Sequence, residues 1–285
     1  MAERIRKWVI HHPVYECDRY HPAVYRWSPW AGLRNFAYDY LCFRRPRLVV
    51  ELGTHYGCSS FAFQQAISDH CLPTELIAVD TWDGDDFTRR DYLKVVHAEY
   101  CRVKDLCYPD VNAHRMRMTF DEANAHFADG RIDLLHIDGS HRYEDVKHDF
   151  LLWRPKLKDG GVIFFHDTGE DLFEGRPMGS HIFWKEITQS HPWTITLPFS
   201  NGLGIYCADR RTFRELRRAV PVSEYQRQVN LADTENKAAL RDLSYLNGEQ
   251  EKHIKSLIKD HRELEAYSAG LEERIRELEI TLKRC

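Results

Sequence analysis

Four short apolar runs constrain the fold of this chain more than any other feature: Leu48-Val49-Val50-Glu51-Leu52, Leu76-Ile77-Ala78-Val79-Asp80, Ile132-Asp133-Leu134-Leu135-His136-Ile137-Asp138 and Gly161-Val162-Ile163-Phe164-Phe165-His166-Asp167. Each is too short for a helix and nearly continuous in branched or aromatic residues, the pattern of strands covered on both faces. Helical periodicity fills the intervals. A Gly-containing turn leads into a helix pattern over 59–67, and Tyr143, Val146, Phe150 and Trp153 recur at helical spacing within 142–153. Strand, helix, strand in this order predicts a parallel sheet with helices on both faces. After a helix around 183–189, the segments 193–197 and 204–207 flank Pro198-Phe199-Ser200-Asn201-Gly202, which predicts an antiparallel closing hairpin.

The chain changes character near residue 228. All seven Trp, fourteen Phe and eleven Pro lie before residue 222, and the remainder is rich in Glu, Lys, Arg and Leu. A heptad started at Leu240 puts Leu240, Asn247, Ile254, His261, Ser268, Ile275 and Leu282 on one seam position, and Leu243, Gln250, Leu257, Leu264, Leu271, Leu278 and Cys285 on the other. Proline-free and mostly Leu or Ile, this repeat predicts a helical coiled coil. Three regions follow: an N-terminal helical cap segment (1–46), a catalytic-type α/β domain (47–228) and a coiled coil (229–285). The tail register still runs at Cys285, so a longer native chain is expected.

Composition excludes several classes. Forty basic against forty-four acidic residues leave a net charge of −4, without the basic domain that nucleic-acid binding requires. No apolar run approaches a membrane span, and the start lacks the apolar core of a signal peptide. A cytoplasmic protein is expected. The eight cysteines (17, 42, 58, 71, 101, 107, 207 and 285) contain no C-x-x-C pair and read as reduced thiols, mostly core fillers.

The segment from Glu51 to Ser60, Glu-Leu-Gly-Thr-His-Tyr-Gly-Cys-Ser-Ser, follows a strand and opens a helix, where glycines admit a ligand close to the backbone. Gly53 and Gly57 do not have the spacing of a dinucleotide site, and the P-loop lysine is missing, which disfavours a phosphate ligand. Asp80 ends the next strand, where a carboxylate can accept both hydroxyls of a ribose.

Together these blocks resemble the class I S-adenosylmethionine-dependent methyltransferases. The likeness continues through Ala78-Val79-Asp80-Thr81-Trp82-Asp83-Gly84-Asp85, Arg117-Met118-Thr119-Phe120-Asp121-Glu122-Ala123, the run 132–141 ending Asp138-Gly139-Ser140-His141, and Gly160-Gly161-Val162-Ile163-Phe164-Phe165-His166-Asp167-Thr168. Five blocks in order, within 48–208, look like a bacterial subfamily associated with glycosyltransferases and polysaccharide biosynthesis. The resemblance implies a Rossmann-like, mostly parallel seven-stranded sheet with the antiparallel hairpin, and S-adenosyl-L-methionine as cofactor. It also implies that Glu51, Gly53 and Gly57 shape the methionine pocket and Asp80 holds the ribose. Trp82 or Phe120 would stack on the adenine, with Thr119 nearby and Asp138 beside the cofactor.

Methyl transfer to a hydroxyl is an in-line displacement in which the hydroxyl must also lose its proton. Asp138 and His141 follow one strand and His166 and Asp167 the next, so two carboxylates and two imidazoles converge at the carboxyl edge of the sheet. Two readings stay open. In the first, Asp138, Asp167 and His166 bind a divalent cation such as Mg²⁺ and His141 accepts the proton, as in metal-dependent sugar O-methyltransferases, whose D-G-S-H block Asp138–His141 matches. In the second no metal binds, and Asp138 orients His141 as the base. His166 and Thr168 depart from the oxygen-rich metal pattern. His136 is expected to be a satisfied core histidine.

On the acceptor side, residues 84–112, with Asp85, Asp86, Arg89, Arg90, Tyr92 and Tyr100, form an insertion expected to act as a lid. Tyr20 to Trp30, including Trp27, offers a sugar-stacking wall. The resulting expectation is an enzyme that O-methylates a sugar hydroxyl of a bacterial surface glycan such as an O-antigen. The alternatives are a small-molecule acceptor or a non-catalytic scaffold. The coiled coil would make an oligomer or bind a glycosyltransferase, in the cytoplasm or at the inner membrane with glycan-assembly enzymes.

Overall fold

The computed structural model describes residues 7–20, 25, 28–84, 95–169, 172–173 and 175–235, with five isolated tail positions (250, 252, 255, 256 and 259). The chain separates into two compact units, Met1–Val229 and Asn230–Cys285. Of the heptad seam only Gln250 is described; the other seam residues, like Trp27, Asp85, Asp86, Arg89, Arg90 and Tyr92, lie outside the described residues.

The first unit is built on seven strands: β1 (Leu48–Leu52), β2 (Glu75–Val79), β3 (Ala113–Met116), β4 (Ile132–Ile137), β5 (Leu157–His166), β6 (Thr194–Leu197) and β7 (Leu203–Cys207). Their order is β3-β2-β1-β4-β5-β7-β6. The first five pair in parallel, while β7 runs antiparallel to both β5 and β6. This is the expected Rossmann-like sheet with its closing hairpin, and the order reverses beside β1, where such sheets open a crevice. Among the described residues the α-helices that accompany it are α1 (Arg34–Arg44), α2 (Cys58–Asp69), α3 (Val96–Cys107), α4 (Phe120–Asn124), α5 (Tyr143–Trp153), α6 (Gly179–Ser190) and α7 (Arg210–Ala219). A further helical stretch occupies 222–235. Among the described residues no helix is long and apolar enough to cross a membrane.

Strand alternation divides the core in two. Val49, Leu134, Phe164 and Ile205 join one cluster with Phe36, Leu41, Phe61 and Tyr100, whereas Val50, Leu135, Ile163 and Phe165 join the other with Phe150, Trp153 and Trp184. Successive side chains of a strand point to opposite faces, so continuous apolar runs serve both layers. The N-terminal segment belongs to the first layer: Trp8 stacks on Phe36, and its indole N–H donates to Tyr225 Oη at 2.8 Å.

Register carries the fold into the site. Leu52 is level with Val79 and with Ile137, and Ile137 with Phe165. Gly53, Asp80 and Asp138, the residues just past their strands, and His166, the last of β5, therefore lie side by side at the carboxyl edge.

Candidate active site

The loop after β1 is braced rather than open. Glu51 is fully buried; it accepts from Ser59 Oγ at 2.6 Å and Thr54 Oγ1 at 3.1 Å, and its Oε1 lies 3.2 Å from His136 Nδ1. Asp80 accepts three backbone N–H groups: Thr54 (2.8 Å) and His55 (2.9 Å) on one oxygen, Trp82 (2.7 Å) on the other. Burial pushes the Asp80 carboxyl up, against those three bonds. A ribose hydroxyl would share this carboxylate with the loop it holds.

The two glycines act through geometry. Gly53 has φ +88°, and a Cβ there would lie 2.0 Å from the Asp138 carbonyl oxygen, so its bareness lets the β1 and β4 loops touch. At Gly57 (φ +89°) an added Cβ would meet the Tyr100 and Phe61 rings at 2.7 and 2.8 Å. Gly57 therefore makes room for the core and caps the start of α2, whose first N–H groups have no intrahelical partner.

Several residues expected at the ligand have other partners in the structure. Trp82 is buried, its ring 4.7 Å from His97 and 5.5 Å from Tyr100 and its N–H donated to the His55 carbonyl. It packs behind the loop, whereas Phe120 is half-buried over Gly139. Thr119 caps α4 by a reciprocal pair of bonds with Glu122, which commits its hydroxyl to the helix. Tyr100 belongs to packed helix α3, stacked 5.2 Å from Phe61, so this part of the insertion is core rather than lid. Tyr25 and Trp30 are likewise buried, which removes them from a sugar-stacking wall; Trp30 instead covers His136 and His166 at 4.8 and 5.6 Å.

At the β4 and β5 ends, acids and imidazoles alternate in one row. Beyond the Glu51–His136 contact, His136 Nε2 is 3.9 Å from Asp138, Asp138 is 3.2 Å from His166 Nδ1, the same nitrogen is 3.2 Å from Asp167, and Asp167 is 2.6 Å from His141 Nε2. His141 Nε2 thus meets Asp167, where the metal-free reading paired His141 with Asp138. Asp138 leaves β4 facing the neighbouring strand end, where His166 stands, whereas Asp167 lies one residue beyond β5 and turns outward with φ +56°. His136 is buried as expected, but its Nε2 has no hydrogen bond.

His166 reports what the cluster can hold. Its Nε2 lies 3.1 Å from the Ser200 carbonyl, which can only accept, so that nitrogen carries a proton. The lone pair of the neutral ring is then on Nδ1, facing both carboxylates. Such a constellation needs positive charge, a proton on Nδ1 or a cation. Burial opposes a charged ring, but Asp167 and Asp138 raise His166 well above the ordinary imidazole range. Burial would likewise raise the acids; His166 holds Asp138 low, and His166 with His141 holds Asp167 low. One imidazole nitrogen and two carboxylate oxygens, all within 4.8 Å, with the second ring nitrogen on a backbone carbonyl, fit a divalent ion. The imidazole makes the set less suited to Mg²⁺ than an all-oxygen site would be.

Sequence reasoning missed the groups that hold this row. Asn201 Nδ2 donates to Asp167 at 3.1 Å, and Ser180 Oγ to the Asp167 carbonyl at 2.9 Å. Ser200 and Asn201 both have positive φ, as do His55 and Trp82 at the same edge of the sheet. The Asn-Gly turn signal was visible, but not that its tip folds over β5.

This sheet order, mostly parallel with an antiparallel closing pair, is the Rossmann-like arrangement that the sequence resemblance implied. Residues 50–168 match the family described as "Methyltransferase domain". The chain is also 41% identical over 169 residues to "Uncharacterized protein y4gI" of Sinorhizobium fredii (strain NBRC 101917 / NGR234), covering 56% of this chain and 17% of that protein. The chain thus spans about a sixth of the length of the curated relative it matches. Among solved structures it is similar to the S-adenosylhomocysteine-bound Podospora anserina methyltransferase PaMTH1 (13% identity, TM-score 0.48, 68% of this chain and 85% of that one). It is also similar to a Geobacter sulfurreducens methyltransferase (18% identity, TM-score 0.45, 62% and 78%).

Proposed function

We propose that this protein is an S-adenosylmethionine-dependent O-methyltransferase that acts on a sugar hydroxyl of a surface polysaccharide or related glycan, with a divalent cation and His141 as base. The observation that carries this reading is the row Asp138, His166, Asp167 and His141 beside the cofactor-type loop of β1. In the reaction, the acceptor oxygen attacks the methyl carbon, the carbon–sulfur bond breaks, and S-adenosylhomocysteine leaves. The hydroxyl proton goes to His141. Asp167 accepts from Nε2–H, the tautomer that puts the basic lone pair of the ring on Nδ1, and stabilises the imidazolium that forms. Asp138, His166 and Asp167 would hold the cation, which would lower the pKa of a bound hydroxyl.

Glu51 and the braced loop support the cofactor side, with Asp80 toward the ribose and Phe120 toward the adenine. The sugar acceptor rests on the sequence resemblance. Residues 229–285 are proposed to assemble the enzyme as an oligomer or to dock a glycosyltransferase, in the cytoplasm or at the inner membrane surface.

The test is calorimetric titration with S-adenosylhomocysteine, followed by transfer of labelled methyl to candidate glycans with and without EDTA. Binding at tens of micromolar or tighter and EDTA-sensitive transfer are expected. Absence of binding removes the enzymatic reading, and EDTA-resistant turnover removes the cation. His141→Ala should abolish turnover with cofactor affinity nearly unchanged; loss of that affinity would contradict its role as base.

A further inference from the structure

A second cluster of metal-ligating side chains lies at the other end of the sheet. Cys42 is near the end of α1, just before β1 begins, and His70 caps the end of α2. Both helix ends lie toward the amino edge of the strands, remote from the row at the carboxyl edge. The extended segment before the first short helical turn brings His11 to them. Each of the three offers one ligand atom, and these atoms lie within 4.8 Å of one another. The His11 and His70 rings meet edge to face, centroids 5.1 Å apart.

A second, independent observation concerns the ring of His11. Asp39, one turn before Cys42 on the same face of α1 and itself 1% exposed, lies 2.6 Å from His11 Nδ1 and accepts the His11 backbone N–H at 3.0 Å. The carboxylate favours the tautomer with the proton on Nδ1, which puts the lone pair of the neutral ring on Nε2. A carboxylate behind a histidine, orienting it and raising its basicity, is the usual support of a zinc ligand. The Asp39 carboxylate is in turn held by the Tyr225 hydroxyl.

We propose that His11, Cys42 and His70 bind a borderline divalent transition ion, best matched by Zn²⁺, that fastens the N-terminal segment to α1 and α2. Two imidazoles and one thiolate suit Zn²⁺ and exclude Mg²⁺ and Ca²⁺ as preferred occupants. The Cys42 thiol loses its proton to solvent as the sulfur–metal bond forms. With three protein ligands and His70 exposed, water completes the tetrahedron.

Cobalt(II) is the probe, since a Co²⁺–thiolate bond gives a near-ultraviolet charge-transfer band that oxygen and nitrogen ligands do not. The full chain, stripped with chelator, should show this band at one equivalent and lose it on Zn²⁺ addition. The cluster at the carboxyl edge contains no sulfur and stays silent. Cys42→Ser should abolish the band, and His70→Ala, at an exposed position, should weaken Co²⁺ binding by about 10-fold or more. Zn²⁺ should raise the Tm of the wild type by more than that of His70→Ala. No thiolate band in the wild type, a band surviving Cys42→Ser, or an equal Tm rise in His70→Ala would each overturn the proposal.

Discussion

Asp167 meets His141, the neighbouring His166 and Asn201 from left-handed backbone, a conformation that costs a non-glycine residue about 1 kcal/mol or more and recurs at functional sites. Asp167→Asn should lower kcat by about 10²–10⁴-fold while S-adenosylhomocysteine affinity changes little, because the tautomer of His141 is no longer fixed. A parallel loss of cofactor affinity would show that the residue shapes the pocket instead. Asp149 presents a different problem: buried in α5, its carboxyl is pushed up to about 7 by burial, against the charge of His148 and with that of Asp145 and Asp121. Its folded pKa exceeds the unfolded value of about 3.9, so the native state holds the proton more tightly. Stability is then fully present below about pH 4 and declines as pH rises toward 7. Asp149→Asn should stabilise the protein by about 2–4 kcal/mol at pH 8 and by almost nothing near pH 4. Urea unfolding at the two pH values checks this; a gain of equal size at both would exclude ionisation as the cause.

Elements were legible in the sequence to the extent that their patterns are local. The four strand runs lie within one or two residues of their predicted starts except at β5, which begins at Leu157 rather than Gly161 because Ile132 pairs there before the register shifts. Helix α5 and the closing hairpin also follow from periodicity and turn residues. What stayed hidden depends on long-range packing. Helix α3 carries charged residues throughout and anchors mainly through Val96, Tyr100 and Val103, too sparse a stripe to read as core. The partners of Asp138 and His141 could be grouped from strand ends, but which carboxylate met which imidazole depended on how the chain turns after β5. Thr119 shows the same limit, since a capping box and an adenine contact leave similar traces in sequence. The two roles separate by experiment. If Thr119 serves α4, Thr119→Ala costs about 1 kcal/mol in thermal or urea unfolding, Thr119→Ser costs little, and both bind S-adenosylhomocysteine as the wild type does. A weakened affinity in Thr119→Ala at unchanged stability would return the residue to the cofactor.

At the scale of the molecule, the first unit closes its own core, and the closure depends on its last turn of chain. Tyr225 is 1% exposed, bonds Trp8 and Asp39 and packs edge-on against Phe36 at 5.7 Å, so it ties the 222–235 helix to both the N-terminal segment and α1. Val229 adds a contact over Gly32. A chain ending at Val229 retains all of these groups, whereas one ending at Val220 exposes the Trp8 indole N–H and the Asp39 carboxylate and leaves a cavity the size of a tyrosine. Loss of a large buried aromatic costs about 3–5 kcal/mol, and each orphaned polar partner adds about 1–3 kcal/mol. The chain 1–229 should therefore unfold cooperatively, with a Tm within a few degrees of the full chain, and bind S-adenosylhomocysteine with equal affinity. The chain 1–220 should be largely unfolded or lower in Tm by 10 °C or more, at about 2–4 °C per kcal/mol for a unit of this size. Light scattering on the same pair of full-length and 1–229 chains tests the tail: a monomer on truncation assigns self-association to residues 230–285. A persistent oligomer assigns it to the α/β unit. Equal stability of the 1–220 and 1–229 chains would contradict the closing role of Tyr225.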